Sequence, residues 1–371
     1  MQKFFIMKDV NVLKITCLLL MFSFCGRLFA QIQTFKWQDV ERQYIVRTPS
    51  DYQGSLPVMY FLHGLGDNIT RVDAEYNFTQ LANRFGWMIV VPQASNIGGT
   101  SMWNAALNTS SIDDSGFLMA LLDSLAVQHP VNQDSIFFTG FSMGGFMSHR
   151  MAIEHGDRIT ACAPVSGLIT NYMANQTAVA PVRLLHVHGT SDPVVGYNGN
   201  SQYFGGNLGL NVDGIINYWK NANKSSGEPV IDTLPDTHND GLLFVRYTYI
   251  GDKELQHIKI IGGNHTWYSN ANVYDVSLTD VVHDFFIGKG GFDKVGNPYA
   301  GSLNIFPNPA SGKVRIDVAS PTNIEIVDVN GKTVVRKHLD SGAAFLDIET
   351  FPAGIYFVKE ENGNTSKLVV K

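Results

Sequence analysis

From about Gln31 to Ile287 the apolar positions fall into short unbroken runs, separated by stretches with helical spacing. Tyr44-Ile45-Val46 is the first run. Val58 to Leu62 follows and ends in His63-Gly64. Met88 to Val91 is closed by Pro92, and Ile136 to Thr139, Leu184 to Val187 and His257 to Ile261 complete the set. Runs with both faces apolar predict strands covered on both sides, the mark of a parallel sheet. Between them, Asp114 to Ala126 carries Phe117, Leu118, Leu121, Leu122 and Leu125 at helical spacing. Phe146 to Ile153, Val212 to Tyr218 and Val281 to Phe286 predict further helices. Strand and helix in alternation predict an α/β fold over residues 31–288, with a doubly wound, mostly parallel sheet.

The pattern then changes. Residues 289–302, with Lys289-Gly290-Gly291 and Val295-Gly296-Asn297-Pro298, read as a linker. Residues 303–371 turn to short alternating runs at Val314–Val318, Ile324–Val327, Thr333–Val335, Ile355–Val358 and Lys367–Val370. Asn330-Gly331 between two of them is a hairpin signal. A small antiparallel β-sandwich domain is expected there. At the other end, Lys3, Lys8 and Lys14 precede an apolar run from Ile15 to Phe24, with Leu28-Phe29-Ala30 after it. That order predicts a signal peptide over residues 1–30, cut after Ala30. Lipid attachment through Cys25 is the alternative. The apolar run is too short to cross a bilayer, so no transmembrane segment is expected in the mature chain.

Composition narrows the function classes. The chain has 371 residues, 44% hydrophobic and 16% charged, a globular balance. Its formal net charge of -6, without a basic run, argues against nucleic acid and against anionic membrane surfaces. Of the 3 cysteines, only Cys162 lies outside the signal segment, so no internal disulfide is expected and Cys162 reads as a buried thiol. No H-E-x-x-H, C-x-x-C, calcium-loop or phosphate-loop spacing is present, so neither metal nor cofactor is expected.

One constellation carries chemistry. Gly140-Phe141-Ser142-Met143-Gly144 stands between a predicted strand and a predicted helix. A serine on so sharp a turn needs small residues two before and two after it, and the turn raises the hydroxyl above the sheet. Such a nucleophile needs a base and a charged orienter, placed later in the chain, acid before histidine and each just past a strand. Asp192 in His188-Gly189-Thr190-Ser191-Asp192 meets that rule, and so does His265 in Gly262-Gly263-Asn264-His265. Asp236 and Asp240 compete but lie in a polar loop with no strand assigned before them, and Asp213 reads as a helix cap. The backbone N–H groups of Met143 and of Leu65, in His63-Gly64-Leu65-Gly66-Asp67, are the candidate oxyanion donors. His63 is expected to brace that loop. Trp103 and Trp267 are candidate substrate-binding walls, with core packing the alternative.

These segments, with Trp103-Asn104 and Asp113-Asp114-Ser115-Gly116-Phe117, resemble the poly(3-hydroxybutyrate) depolymerase and feruloyl/acetyl-xylan esterase group of α/β-hydrolases. The resemblance covers nearly all of residues 31–288. It implies a serine ester hydrolase with nucleophile, acid and base at Ser142, Asp192 and His265, acting on acylated plant polysaccharide. A polyester depolymerase, a peptidase and a non-catalytic surface-binding protein are the alternatives. Two departures stand out: the mature chain lacks the cysteine pair common near the site in that group, and His265-Thr266-Trp267-Tyr268 has tyrosine where the group has proline. The last domain resembles a type IX secretion sorting domain at Ile305 to Ala310, Val327 to Lys332 and Pro352 to Tyr356, with a carbohydrate-binding sandwich the alternative. The resemblance implies the type IX machinery as partner and a secreted or cell-surface location.

Overall fold

The computed structural model describes residues 32–288 and 304–371, apart from 108–110, 204, 237, 239, 271, 307–309, 311, 319–320, 329–330, 341 and 362–364. The expected signal peptide, linker, Asn330 turn and Pro307–Pro309 segment lie outside the described residues.

The first region is built on one ten-stranded sheet. Its strands are β1 (Gln33–Trp37), β2 (Val40–Arg47), β3 (Leu56–Leu62), β4 (Met88–Pro92), β7 (Val131–Phe141), β8 (Ala161–Val165), β9 (Arg183–Gly189), β10 (Val230–Thr233), β11 (Leu243–Tyr249) and β12 (Leu255–Ile261). A two-stranded hairpin, β5 (Asn96–Ile97) and β6 (Thr100–Ser101), stands outside it. The sheet order is β1-β2-β4-β3-β7-β8-β9-β12-β11-β10. The strands from β4 to β12 in that order run parallel; the outer ones, β1, β2, β11 and β10, are antiparallel. Every residue of β4 and β8 is buried, as central strands covered on both faces require.

Six helices flank the sheet: α1 (Ile69–Tyr76), α2 (Phe78–Phe85), α3 (Asp114–Gln128), α4 (Met143–His155), α5 (Val212–Ala222) and α6 (Leu278–Phe286). The sequence pattern anticipates α3 to α6, with α4 starting earlier and α5 running longer than expected. It misses α1 and α2, two eight-residue helices sharing Asn77, which caps the end of one and the start of the other with φ at 50°. Periodicity has too few turns to register in such short pieces. The Asp213 expectation is corrected: Asn211 is the N-cap of α5, accepting from the Gly214 N–H at 2.8 Å, and Asp213 sits in the first turn. The polar loop around Asp236 and Asp240 does follow a strand, β10, which the sequence reading did not assign.

The start of α3 is fixed from inside. Asp113 caps it through the Gly116 N–H at 2.8 Å. The neighbouring Asp114, fully buried, accepts from Arg42 at 2.6 Å and from the Asn104 N–H at 2.7 Å. Arg42 also lies over the Phe117 ring at 3.9 Å. The buried charge is thereby paired and saturated with donors.

Residues 304–371 form two antiparallel sheets. One comprises β13 (Asn304–Phe306), β14 (Lys313–Val318) and β17 (Gly342–Asp347). The other comprises β15 (Thr322–Asp328), β16 (Thr333–Leu339), β18 (Gly354–Glu360) and β19 (Thr365–Val370), in the order β16-β15-β18-β19. Val314, Ile316, Ile324, Ile326, Val358 and Leu368 from both sheets share one buried cluster. Of these strands, β13 and β17 carry no clear alternation and were not anticipated.

Candidate active site

Three loops leave the same edge of the parallel strands. β7 runs into Ser142, β9 into Asp192 and β12 into His265. Because β9 and β12 are adjacent and parallel, with Gly189 opposite Ile260, the last two loops emerge side by side.

Ser142 adopts φ 56° and ψ −119°, a conformation disfavoured for a residue with a side chain. Such a backbone costs on the order of 1–3 kcal/mol and persists only where its surroundings impose it. The surroundings are visible. The Ser142 N–H donates to Val165 O at 3.0 Å, and its carbonyl accepts from the Phe146 N–H at 3.1 Å. A Cβ at Gly140 would stand 2.5 Å from Gly144 O and 2.7 Å from Leu62 O. One at Gly144 would overlap the Leu62 carbonyl outright, and one at Gly145 would reach 2.6 Å from Val165 O. The glycines let the α4 N-terminus press against β3 and β8, and that pressure holds the turn.

His265 donates from Nδ1 to Asp192 Oδ2 at 2.7 Å. The Asp192 side chain is wholly buried and that of His265 is 14% exposed. The other carboxylate oxygen, Oδ1, accepts from the N–H groups of Val194 at 2.9 Å and Val195 at 2.8 Å. A carboxylate only accepts, so the proton of the imidazole sits on Nδ1 and the Nε2 lone pair is free to act as a base. The His265 ring lies 4.7 Å from the ring of Phe141, the residue before Ser142. A Cβ on Gly64 would come within 3.7 Å of Ser142 Cβ, so the loop carrying Leu65 passes beside the serine. Among the described residues, the N–H groups of Leu65 and Met143 donate to nothing. That loop is held by Gly66 N–H on Ser101 O at 2.8 Å, and by His63. His63 donates from Nδ1 to Gly64 O at 2.7 Å and accepts at Nε2 from the Ala94 N–H at 3.1 Å. Burial lowers its pKa, so it stays a neutral brace.

Trp103 and Trp267 are both buried, and Trp267 lines a small apolar cavity with Phe61, Tyr76 and Phe78. Trp103 is 1% exposed and donates its indole N–H to His63 O at 3.0 Å. Trp267 is 9% exposed, donates to Thr279 Oγ1 at 3.0 Å and packs on Phe61 and Tyr76. Both indole N–H groups find their partners inside the fold, and the rings follow them inward.

The hydrogen bonds that join and brace the acid and histidine loops are not legible in the sequence, which marks Tyr268 only as a departure from proline. The Ser191 N–H donates to Gly263 O at 2.9 Å, and the Gly262 N–H to Thr190 Oγ1 at 3.0 Å. Tyr268 accepts from the Asn264 N–H at 2.7 Å and donates back to Asn264 O at 3.2 Å. His188 donates from Nε2 to Val195 O at 2.7 Å, closing the turn that cradles Asp192. The positions just after each strand were a legible signal; which side chain would close which turn was not. Among the described residues, no group of three or more His, Cys, Asp or Glu side chains is placed to hold a metal ion.

The serine turn, the paired histidine and acid, and the sheet order define an α/β-hydrolase. Residues 47–203 match the phospholipase/carboxylesterase family. Residues 304–371 match the secretion system C-terminal sorting domain, which marks the chain for export to the cell surface or beyond. A bifunctional acetylxylan esterase/xylanase from Neocallimastix patriciarum is 26% identical over 280 residues, covering 74% of this chain and 37% of that protein. A probable feruloyl esterase C from Aspergillus niger is 28% identical over 217 residues, covering 54% of this chain and 77% of that one. The chain thus spans little more than a third of the length of the first relative, 37%, and over three quarters of the second, 77%. Among solved structures, an acetyl xylan esterase from Aspergillus awamori aligns with a TM-score of 0.49 at 15% identity, covering 69% of this chain and 100% of that one.

Proposed function

We propose that the protein is an exported serine hydrolase of carboxylic esters, acting on acetyl or feruloyl esters of plant polysaccharide. Ser142 is the nucleophile, His265 the general base and Asp192 its orienter, with the N–H groups of Leu65 and Met143 as the oxyanion hole. What supports this reading is the strained turn at Ser142 together with an imidazole that packs on the ring of the preceding Phe141 and whose Nδ1 is committed to Asp192. His265 Nε2 takes the Ser142 proton as Oγ attacks the ester carbonyl. The oxyanion gains the two free N–H groups, the alcohol leaves with the proton from His265, and an acyl-serine remains. Water, deprotonated by the same nitrogen, releases the acid.

The class of substrate follows from the acetylxylan and feruloyl esterase relatives, and a sorting domain on an exported chain suits a polymer met outside the cell. Residues 1–30 serve as the signal peptide and the type IX machinery as the export partner. The test is turnover of p-nitrophenyl acetate, methyl ferulate and acetylated xylan by the wild type and by Ser142→Ala. The wild type hydrolyses all three, and Ser142→Ala loses at least about 10³-fold on each. Full turnover by Ser142→Ala would end the proposal.

A further inference from the structure

Outside the triad, a hollow of about 300 Å³ opens between α5 and the strands β11 and β12. Three tyrosines line it, Tyr197, Tyr247 and Tyr249, each half-buried. Tyr249 pairs with Leu255, the first residue of β12, so the hollow extends toward the end of that strand opposite His265. It is a different place from the ester site.

Its polar rim is unspent. Asp213 and Asn217 on α5 are exposed, and Lys220 and Lys259 are partly so. None of these four side chains has a hydrogen-bond or ion-pair partner among the described residues. Lys220 Nζ stands 5.1 Å from the Tyr249 ring centre and Lys259 Nζ 5.5 Å from that of Tyr197. The ring faces hold the two ammonium groups at the rim instead of letting them reach into water. One tyrosine is fixed in turn: Tyr197 donates its hydroxyl to His257 Nε2 at 2.9 Å, while His257 Nδ1 donates to His186 O at 3.0 Å.

Aromatic faces in a concave site, ringed by free donors and acceptors, match the chemistry of a pyranose. Its C–H face lies on aromatic rings and its hydroxyls bond to amides and carboxylates. The charge refines this. Among the lining residues two ammonium groups stand against one carboxylate, Asp213, with Glu228 acting on Tyr249 from outside the lining, so an anionic sugar is favoured over a neutral one.

We propose that this tyrosine-lined hollow is an accessory subsite for a carboxylate-bearing sugar, a uronic acid residue on the polysaccharide whose esters the triad cleaves. The carboxylate meets Lys220 and Lys259, the ring lies against the tyrosines, and Asp213 and Asn217 take hydroxyls. This rests on the polysaccharide reading above, and the two fail separately. The test is calorimetric titration of the full chain at pH 7 with an unesterified xylo-oligosaccharide bearing one glucuronic acid, and with the undecorated oligosaccharide of equal length. The acidic ligand binds at least tenfold more tightly to the wild type. In Lys220→Met/Lys259→Met, which keeps both aliphatic stems, the preference disappears while p-nitrophenyl acetate turnover is unchanged. Equal affinity for the two ligands, no binding of either, or a preference surviving in the double variant would overturn the subsite; loss of p-nitrophenyl acetate turnover from the double variant alone would show that these lysines serve the ester site and overturn it equally.

Discussion

At the scale of single residues, the site depends on side chains that hold other side chains. Both carboxylate oxygens of Asp192 are engaged, Oδ2 by His265 and Oδ1 by the Val194 and Val195 N–H groups. Asp192→Asn would offer an amide to Nδ1 and favour the wrong tautomer. Turnover of p-nitrophenyl acetate should fall by about 10⁴-fold with the melting temperature little changed. The Tyr268 hydroxyl clamps Asn264 from both sides, one residue from His265. Tyr268→Phe keeps the buried ring and frees that backbone. A displaced base can cost up to about 10²-fold, so kcat should drop by about tenfold or more with KM nearly unchanged. A KM effect alone would place Tyr268 in substrate binding instead. The places of Ser142, Asp192 and His265, just past β7, β9 and β12, were legible from motif and strand order; the hydrogen bonds of Tyr268, Thr190 and His188 were not, since their partners are backbone atoms that only the folded loops bring near.

At the scale of elements, the strands buried on both faces were the easiest to read. β3, β4, β9 and the second half of β7, from Ile136, announce themselves as largely apolar runs. The antiparallel strands β10, at the edge, and β11, beside it, do not, because a half-solvated antiparallel strand mixes polar and apolar residues, as Leu243–Tyr249 does. The junction of β7 with α4 sets the tightest packing in this region. Gly144→Ala would force a methyl into the Leu62 carbonyl, so β3 and α4 must part. Overpacking of this kind costs about 1–3 kcal/mol or more, and it would tilt the helix that presents Met143. Urea unfolding should show the loss, and activity should fall further than stability accounts for. The Arg42–Asp114 pair is the counterpart among charges. Removing one partner leaves a buried charge alone, so Arg42→Ala should lose about 3–5 kcal/mol. An unchanged urea midpoint would contradict that.

At the scale of the whole molecule, buried histidines shape the response to acid: His63, and four more that cluster beside the same sheet. His149, His186, His188 and His257 surround the inner half of β9 and β12. Burial holds His149 and His257 down to about 3, and His186 and His188 also lie below the ordinary histidine value. Trp219 donates to His149 Nδ1 at 3.2 Å, which fixes that ring as neutral. In the unfolded chain these groups take up protons below about pH 6.5, while the folded chain leaves them neutral. Stability is therefore fully present above that pH and declines as pH falls toward the folded values. Melting temperature should drop steadily between pH 7 and pH 5, before carboxylates protonate; a flat profile there would contradict neutral core histidines.

The central claim is that Ser142 is an activated nucleophile, driven by His265. Treatment of the intact protein with a fluorophosphonate, followed by peptide mass mapping, tests it most directly. One phosphonyl group should appear on the peptide carrying Ser142, be absent in Ser142→Ala and form far more slowly in His265→Ala. Labelling at another residue, or at an undiminished rate without His265, would contradict the account.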